Sequence, residues 1–385
     1  MSTEKEDPVY LDYNATTPVA PEVADAIEPY LREHFGNASS SHVYGQRAKQ
    51  ALEQAREEVA ATIGAKTDEI IFTGSATEAN NLAILGTARA LAGRKKHLIT
   101  SAIEHPSVMK PFVKLRDEGW EISILPVDST GRVDPQDVER AFRPNTALVS
   151  IMHANNEVGT IQPIAEIARL VRPRGIALHT DAAQSMGKID VNVHVLGVDL
   201  LTLAGHKFYA PKGVGALYVR HGTPLKVVFA GAGHEQGLRP GTENIAFIAG
   251  FAAALKLIRE RPVAGMSQLK AMRDQLHQKL TAEIPGLLLN GSNDARLPNT
   301  LNVSFPGVSG HALLAAAAED VAASTGSACH AGQSAESGVL GAMGLDAERA
   351  AGAVRLSIGT STTPAEIARA ANALIAAWRL AKTSS

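Results

Sequence analysis

The chain has almost no cysteine: Cys329 is the only one in 385 residues. That excludes an internal disulfide framework and suits a reducing cytosol. Long apolar runs are missing as well. The apolar stretches are short and broken by Gly or charge, which argues against a spanning helix and so against a membrane partner. The N-terminus, MSTEKEDPVY, is charged and has no apolar core of the kind a secretory signal needs. Charge of one sign is also absent: 37 Lys and Arg stand against 39 Asp and Glu, net −2 with His neutral. With the charges interspersed there is no basic stripe to bind nucleic acid directly and no acidic tail. One Cys and scattered His supply no ligand spacing for a metal centre. There are no internal repeats. The expectation is a cytoplasmic globular protein, long enough for a sizeable core and two domains.

What is present is an alternation of strand and helix patterns, which predicts an α/β core with a mostly parallel central sheet. RAKQALEQAREEVAATI (Arg47–Ile63) places Ala48, Leu52, Ala55, Val59 and Ile63 on one helical face, with Gly64 as the stop. EIIFTGS, HLITSAIEH, EISILPV, ALVSIMHANN, IALHTD, LLTLAG and VGALYVR read as strands. After about Gly265 the character changes to a charged amphipathic helix, NTLNVSFP, an Ala-rich helix, a Gly/Ser-rich loop, VRLSIG and a last helix from Pro364. The expected division is a large domain over residues 15–262 and a smaller α+β domain made of 1–14 and 263–385, with the N-terminus returning to the latter.

The chemistry gathers at the strand ends. IALHTDAAQ and LLTLAGHKFY put Asp181, Gln184, His206 and Lys207 at the exits of two adjacent strands, where ligands bind in open α/β sheets. A Lys held there can bond to an aldehyde cofactor, and an Asp facing a pyridine nitrogen keeps it protonated, as pyridoxal 5′-phosphate (PLP) requires. Taken singly, Asp181 reads more readily as a helix cap and Lys207 as a solvated charge; the pair at this spacing favours the cofactor. Gly74-Ser75-Ala76-Thr77 joins a strand to a helix, so its N–H groups, the helix dipole and the Thr77 hydroxyl suit a phosphate. His105 ends another strand, where its ring either stacks on a pyridine or is structural. His153-Ala154-Asn155-Asn156-Glu157 ends the next strand, and an amide there can reach a phenolic oxygen. Arg355 supplies a guanidinium suited to an amino acid's α-carboxylate.

Ordered motifs cover nearly the whole chain: YLDYNATTP, FGNASSSH, FTGSATEANNLAI, MHANNEVG, HTDAAQSMGK, GHKFYAPKGVGALYVR, GLRPGTEN, NTLNVSF, STGSACHAG and VRLSIGTSTT. Together they resemble the class V aminotransferase family of fold-type I PLP enzymes, and within it the cysteine desulfurase branch, with selenocysteine lyase nearby. The resemblance implies a homodimer with PLP bonded to Lys207, Asp181 on the pyridine nitrogen and His105 over the ring. It implies Asn156 and Gln184 on the phenolic oxygen, and Ala76 (through its backbone), Thr77 and His206 on the phosphate. Thr242 would reach in from the other subunit, while Arg355 and Asn37 would hold the substrate carboxylate.

Cys329 then selects the reaction. Alone, a sole cysteine is usually a small buried hydrophobe. Its setting, STGSACHAG, is too small and polar for a core segment. The glycines suit a loop that carries a thiol into and out of a site, with His330 assisting deprotonation. The resemblance implies conversion of L-cysteine to L-alanine, with Lys207 moving the α-proton and Cys329 taking the sulfur as a persulfide. A sulfur-acceptor protein in iron–sulfur cluster assembly or tRNA thiolation would follow. The pair Cys329-His330 is also similar to selenocysteine lyases, the alternative reading. Two departures from the family pattern stand out: Ala204 replaces a Ser that commonly serves the phosphate, and Ala38 replaces a frequent Pro.

Overall fold

The computed structural model describes residues 7–260, 264–325 and 337–383. Cys329 and His330 lie outside the described residues. Among the described residues the strands are β1 (Val9–Tyr10), β2 (Ile70–Thr73), β3 (His97–Ser101), β4 (Glu121–Leu125), β5 (Thr146–Ser150), β6 (Ala177–Asp181), β7 (Leu200–Ala204), β8 (Gly215–Val219), β9 (Leu288–Asn290), β10 (Thr300–Ser304), β11 (Val321–Ala322) and β12 (Ala353–Ser357).

Seven of them form one sheet in the order β2-β8-β7-β6-β5-β3-β4. Only β8 runs against its neighbours; β7, β6, β5, β3 and β4 pair in parallel. β2, β5 and β7 are buried at every position. That burial on both faces is why they read as continuous apolar runs and not as alternating ones. Phe72, Ile99, Val149, Leu178 and Leu201 pack on one face with the helices Val43–Ile63 and Ile245–Glu260. Ile71, Leu98, Leu148, Leu200 and Leu217 pack on the other with Ala76–Leu91 and Pro106–Asp117. Because β2, β3, β5, β6 and β7 share one direction, their carboxyl ends open along a single edge.

The remaining strands build around a separate core. β12-β10-β9 is an antiparallel sheet covered by the helices Ala264–Glu283 and Pro364–Thr383, with Leu276, Leu301, Val303, Leu356, Leu374 and Trp378 between them. The N-terminal strand returns here: β1 pairs in parallel with β11, and Val9 and Leu11 enter this core.

The helix expected from Arg47 begins one turn earlier, at Val43, capped by His42, which accepts from the Gly45 N–H. An exposed Val-Tyr pair and a glycine hide that turn in the sequence. The glycine is steric: a Cβ on Gly45 would lie 2.1 Å from the Ser40 carbonyl oxygen.

After β8 the chain crosses back to β2 through a buried ion pair. Glu235 accepts from both terminal nitrogens of Arg56 at 2.9 Å and from the Phe72 N–H at 2.7 Å. Both side chains are almost fully buried, so removing one leaves the other charge uncompensated. Glu235→Ala is expected to cost about 3–5 kcal/mol. The check is the urea denaturation midpoint; a variant as stable as the parent would show that this pair does not anchor the loop.

Candidate active site

The carboxyl ends of the sheet border a cavity of about 320 Å³. From β2 come Ser75, Ala76 and Thr77, from β3 Glu104 and His105, and from β5 Met152 and Asn156. β6 brings Asp181 and Gln184, β7 brings His206 and Lys207, and Arg355 enters from β12. Nine of the twelve site residues expected from the sequence therefore converge. Three do not: Asn37 is exposed and its Oδ1 accepts from the Ser39 N–H. Thr242 lines a different cleft with Gly74, Arg239 and Glu243. Cys329 is outside the described residues.

Asp181 closes β6 with its carboxylate buried. Oδ2 accepts from Asn80 Nδ2 at 2.7 Å and Oδ1 from the Ala183 N–H at 2.9 Å. The other Asn80 Nδ2 hydrogen goes to Ser107 Oγ at 2.8 Å, and Ser107 Oγ lies 2.7 Å from His105 Nδ1. Since the Ser107 N–H also donates to that nitrogen at 3.1 Å, Nδ1 is an acceptor and the proton of a neutral ring sits on Nε2. Burial and the Lys207 charge push the His105 pKa down, against an opposing pull from Asp181. Asn80 and Ser107 thus orient two expected site residues, and sequence reading missed both. No sequence signal singled them out: Asn80 is fully buried in its helix, which only the folded chain reveals.

Lys207 follows β7 in a short 3₁₀ turn, and its Nζ donates to the carbonyl oxygens of Asn14 and Ala15 at 2.7 Å each. His206 Nδ1 is 3.2 Å from Thr16 Oγ1, and burial together with neighbouring lysines pushes its pKa down to about 4. Gln184 Nε2 donates to the Asn14 carbonyl at 3.0 Å. Arg355 is bonded to Asp12 Oδ1 at 2.6 Å and to the Asn156 carbonyl at 3.1 Å. Glu104, fully buried, is raised to about 8 by desolvation, against the donors Ser101 and Met152 N–H.

The helix Ala76–Leu91 points its N-terminus at the cavity, capped by Ser75 Oγ accepting from the Glu78 N–H at 3.1 Å. Its position depends on Gly215 in β8: a Cβ there would lie 2.8 Å from Ser75 C and 3.0 Å from Ala76 N. A helix N-terminus with Thr77 and His206 beside it suits a phosphate. Within the same cavity are an amine, a buried carboxylate, an imidazole and two amides. This donor set matches the phosphate, aldehyde, pyridine nitrogen, ring face and phenolic oxygen of PLP, so the residues present fit that cofactor. Among the described residues no cluster of His, Cys, Asp or Glu could hold a metal ion, and no helix is long and apolar enough to cross a membrane.

Known proteins share both the sequence and the fold. A cysteine desulfurase IscS of Dictyoglomus turgidum is 47% identical over 360 residues, covering 93% of this chain and 91% of the relative. The human cysteine desulfurase is 42% identical over 94% of this chain and 79% of its own length. Among solved structures, a NifS-like protein superimposes with a TM-score of 0.88 at 36% identity, covering 96% of this chain and 98% of that one. SspA, solved in complex with cysteine, gives 0.82 at 38% identity over 92% and 99% of the two chains. The class-V aminotransferase family model matches residues 9–369, which include every element that supplies the cavity, and the chain belongs to that family.

Proposed function

We propose that this protein is a cysteine desulfurase that converts L-cysteine to L-alanine and carries the sulfur away as a persulfide on Cys329. The observation that carries this reading is Lys207 and the buried Asp181 at adjacent strand ends around one cavity. Relatives named cysteine desulfurase over more than nine-tenths of the chain, and a similar structure holding cysteine, support the substrate. Class-V aminotransferases depend on PLP, which supplies an electron sink that makes the substrate's α-proton acidic.

Lys207 Nζ would hold the cofactor through its aldehyde, and the same amine would take the substrate's α-proton. Asp181 would keep the pyridine nitrogen protonated, with His105 against the ring. Asn156 and Gln184 would donate to the phenolic oxygen; Ala76 N–H, Thr77 and His206 would hold the phosphate. Ala204, at the end of β7 in the cavity wall, adds no hydroxyl there. Arg355 would take the substrate carboxylate in exchange for part of its bonding to Asp12, with Asn37 assisting. The Cys329 thiolate forms an S–S bond as the substrate's Cβ–S bond breaks. The electron pair stays with carbon, which takes up a proton and leaves as alanine, so the thiol is oxidised as the carbon is reduced.

The active form would be a homodimer in the cytosol, its larger unit 15–262 holding the cofactor and 1–14 with 263–385 forming the smaller one. Phe35 and Tyr44 stack on each other while 70% and 47% exposed, with Val43 exposed beside them. Such an apolar surface suits burial against a second copy, where Thr242 would serve the neighbouring site. A sulfur-acceptor protein would then relieve Cys329 of its persulfide.

The test is alanine formation from L-cysteine and from L-selenocysteine by the PLP-loaded protein. Turnover of cysteine is expected; a protein nearly inert on cysteine and active on selenocysteine would be a selenocysteine lyase. Asp181→Asn removes a charge-assisted hydrogen bond worth about 1.5–3 kcal/mol. It should slow alanine formation by on the order of 10²-fold, with bound PLP retained. Parental turnover in that variant would contradict the assignment of Asp181.

A further inference from the structure

Lys188 is buried behind the site and absent from every role above. It stands 7% exposed, and its Nζ donates to Gln184 Oε1 at 2.9 Å. On its other side the same amide donates from Nε2 to the Asn14 carbonyl at 3.0 Å, and Lys207 Nζ donates to that carbonyl at 2.7 Å. An ammonium has only donors and a carbonyl only acceptors. The two together admit one orientation of the Gln184 amide, with oxygen toward Lys188 and the NH₂ toward Asn14 and the cavity. Without Lys188 the amide would be held against turning over only by the Asn14 carbonyl, which Lys207 Nζ already engages, because O and N occupy nearly the same volume.

We propose that Lys188 is a positioning residue that locks the Gln184 amide with its NH₂ group toward the cavity, so that Gln184 meets the cofactor's phenolic oxygen as a donor. The proposal rests on the PLP reading of the cavity. The charged groups acting on Lys188 are Lys207, from the turn after β7, and Arg355 on β12; its own charge acts on His206. No ion pair joins it to a carboxylate among the described residues, and burial with those two cations lowers its pKa to about 7. A buried amine without a carboxylate partner is costly to keep, and the bond to Gln184 gives it a function.

The test is a pH titration of the visible absorbance band of the PLP-loaded protein, in the parent, Lys188→Met, Gln184→Leu and the double variant. A donor to the phenolic oxygen favours its anion and so holds the band's pKa down. Losing that donor should raise the pKa in both single variants, by about one pH unit. The double variant should shift no further than the larger single one. An unchanged titration in Lys188→Met overturns the proposal. Shifts that add in the double variant overturn it too, since the Lys188 charge would then be acting through space and not through the amide. If Lys188→Met does not fold, Gln184→Glu replaces it: that side chain keeps the bond to Lys188 but faces the ring with acceptors only. Its pKa should exceed that of Gln184→Leu, and a value at or below it overturns the proposal. A parent that binds PLP without any visible band, or does not bind it, refutes the cofactor reading instead.

Discussion

Lys207→Ala is expected to abolish alanine formation, with a loss of at least about 10⁴-fold. The amine has two tasks, bonding the cofactor and moving the α-proton, and both the other buried amine and the imidazole expected over the ring are already engaged. Lys188 Nζ is held by Gln184, and the His105 proton is on Nε2, with Nδ1 occupied by Ser107. The variant should still take up PLP, because the helix N-terminus at Ala76, Asp181 and His206 are untouched, but without a covalent bond. Borohydride reduction should therefore fix the cofactor to the parent and leave the variant free of it after denaturation. Residual turnover above about 10⁻² of the parent would mean that another base moves the proton.

The second large effect concerns the thiol. Cys329→Ser should lower alanine formation from L-cysteine by about 10³-fold or more, because a hydroxyl is far harder to ionise than a thiol and poorly matched to sulfur. Unlike Lys207→Ala, this variant should keep a covalent PLP with the parental absorbance band, and cysteine should still perturb that band. The two substitutions thus divide the reaction between cofactor chemistry and sulfur transfer. Parental alanine release by Cys329→Ser would leave Lys207 chemistry intact and remove Cys329 from the mechanism.

The sheet and most of the cavity were legible because both are written locally. A strand buried on two faces produces an apolar run, and its last residue reaches the carboxyl edge wherever the strand sits in the sheet. Asp181, His206 and Lys207 were therefore placed by strand ends alone, while Ala76 and Thr77 followed from a strand–turn–helix junction. The reversed direction of β8 was not visible, since VGALYVR looks the same whichever way it runs. Contacts between distant segments left no local mark either. Asn80, Ser107 and Asp181 meet only after three helix–strand units have packed. Lys188 looks like an ordinary solvated lysine in SMGKID until its burial is known. Asn37 and Thr242 came from family resemblance alone, and within one chain neither lines the cavity. For Thr242, a site completed by a second copy remains the proposal.

The most direct measurement is a single turnover of the PLP-loaded protein with L-cysteine under anaerobic conditions, without reductant or acceptor. Alanine is quantified, and the mass of the peptide carrying Cys329 is determined. One extra sulfur atom on that peptide for each alanine formed is the expected result. Alanine released with Cys329 unmodified, or no alanine at all, would contradict a persulfide-forming desulfurase.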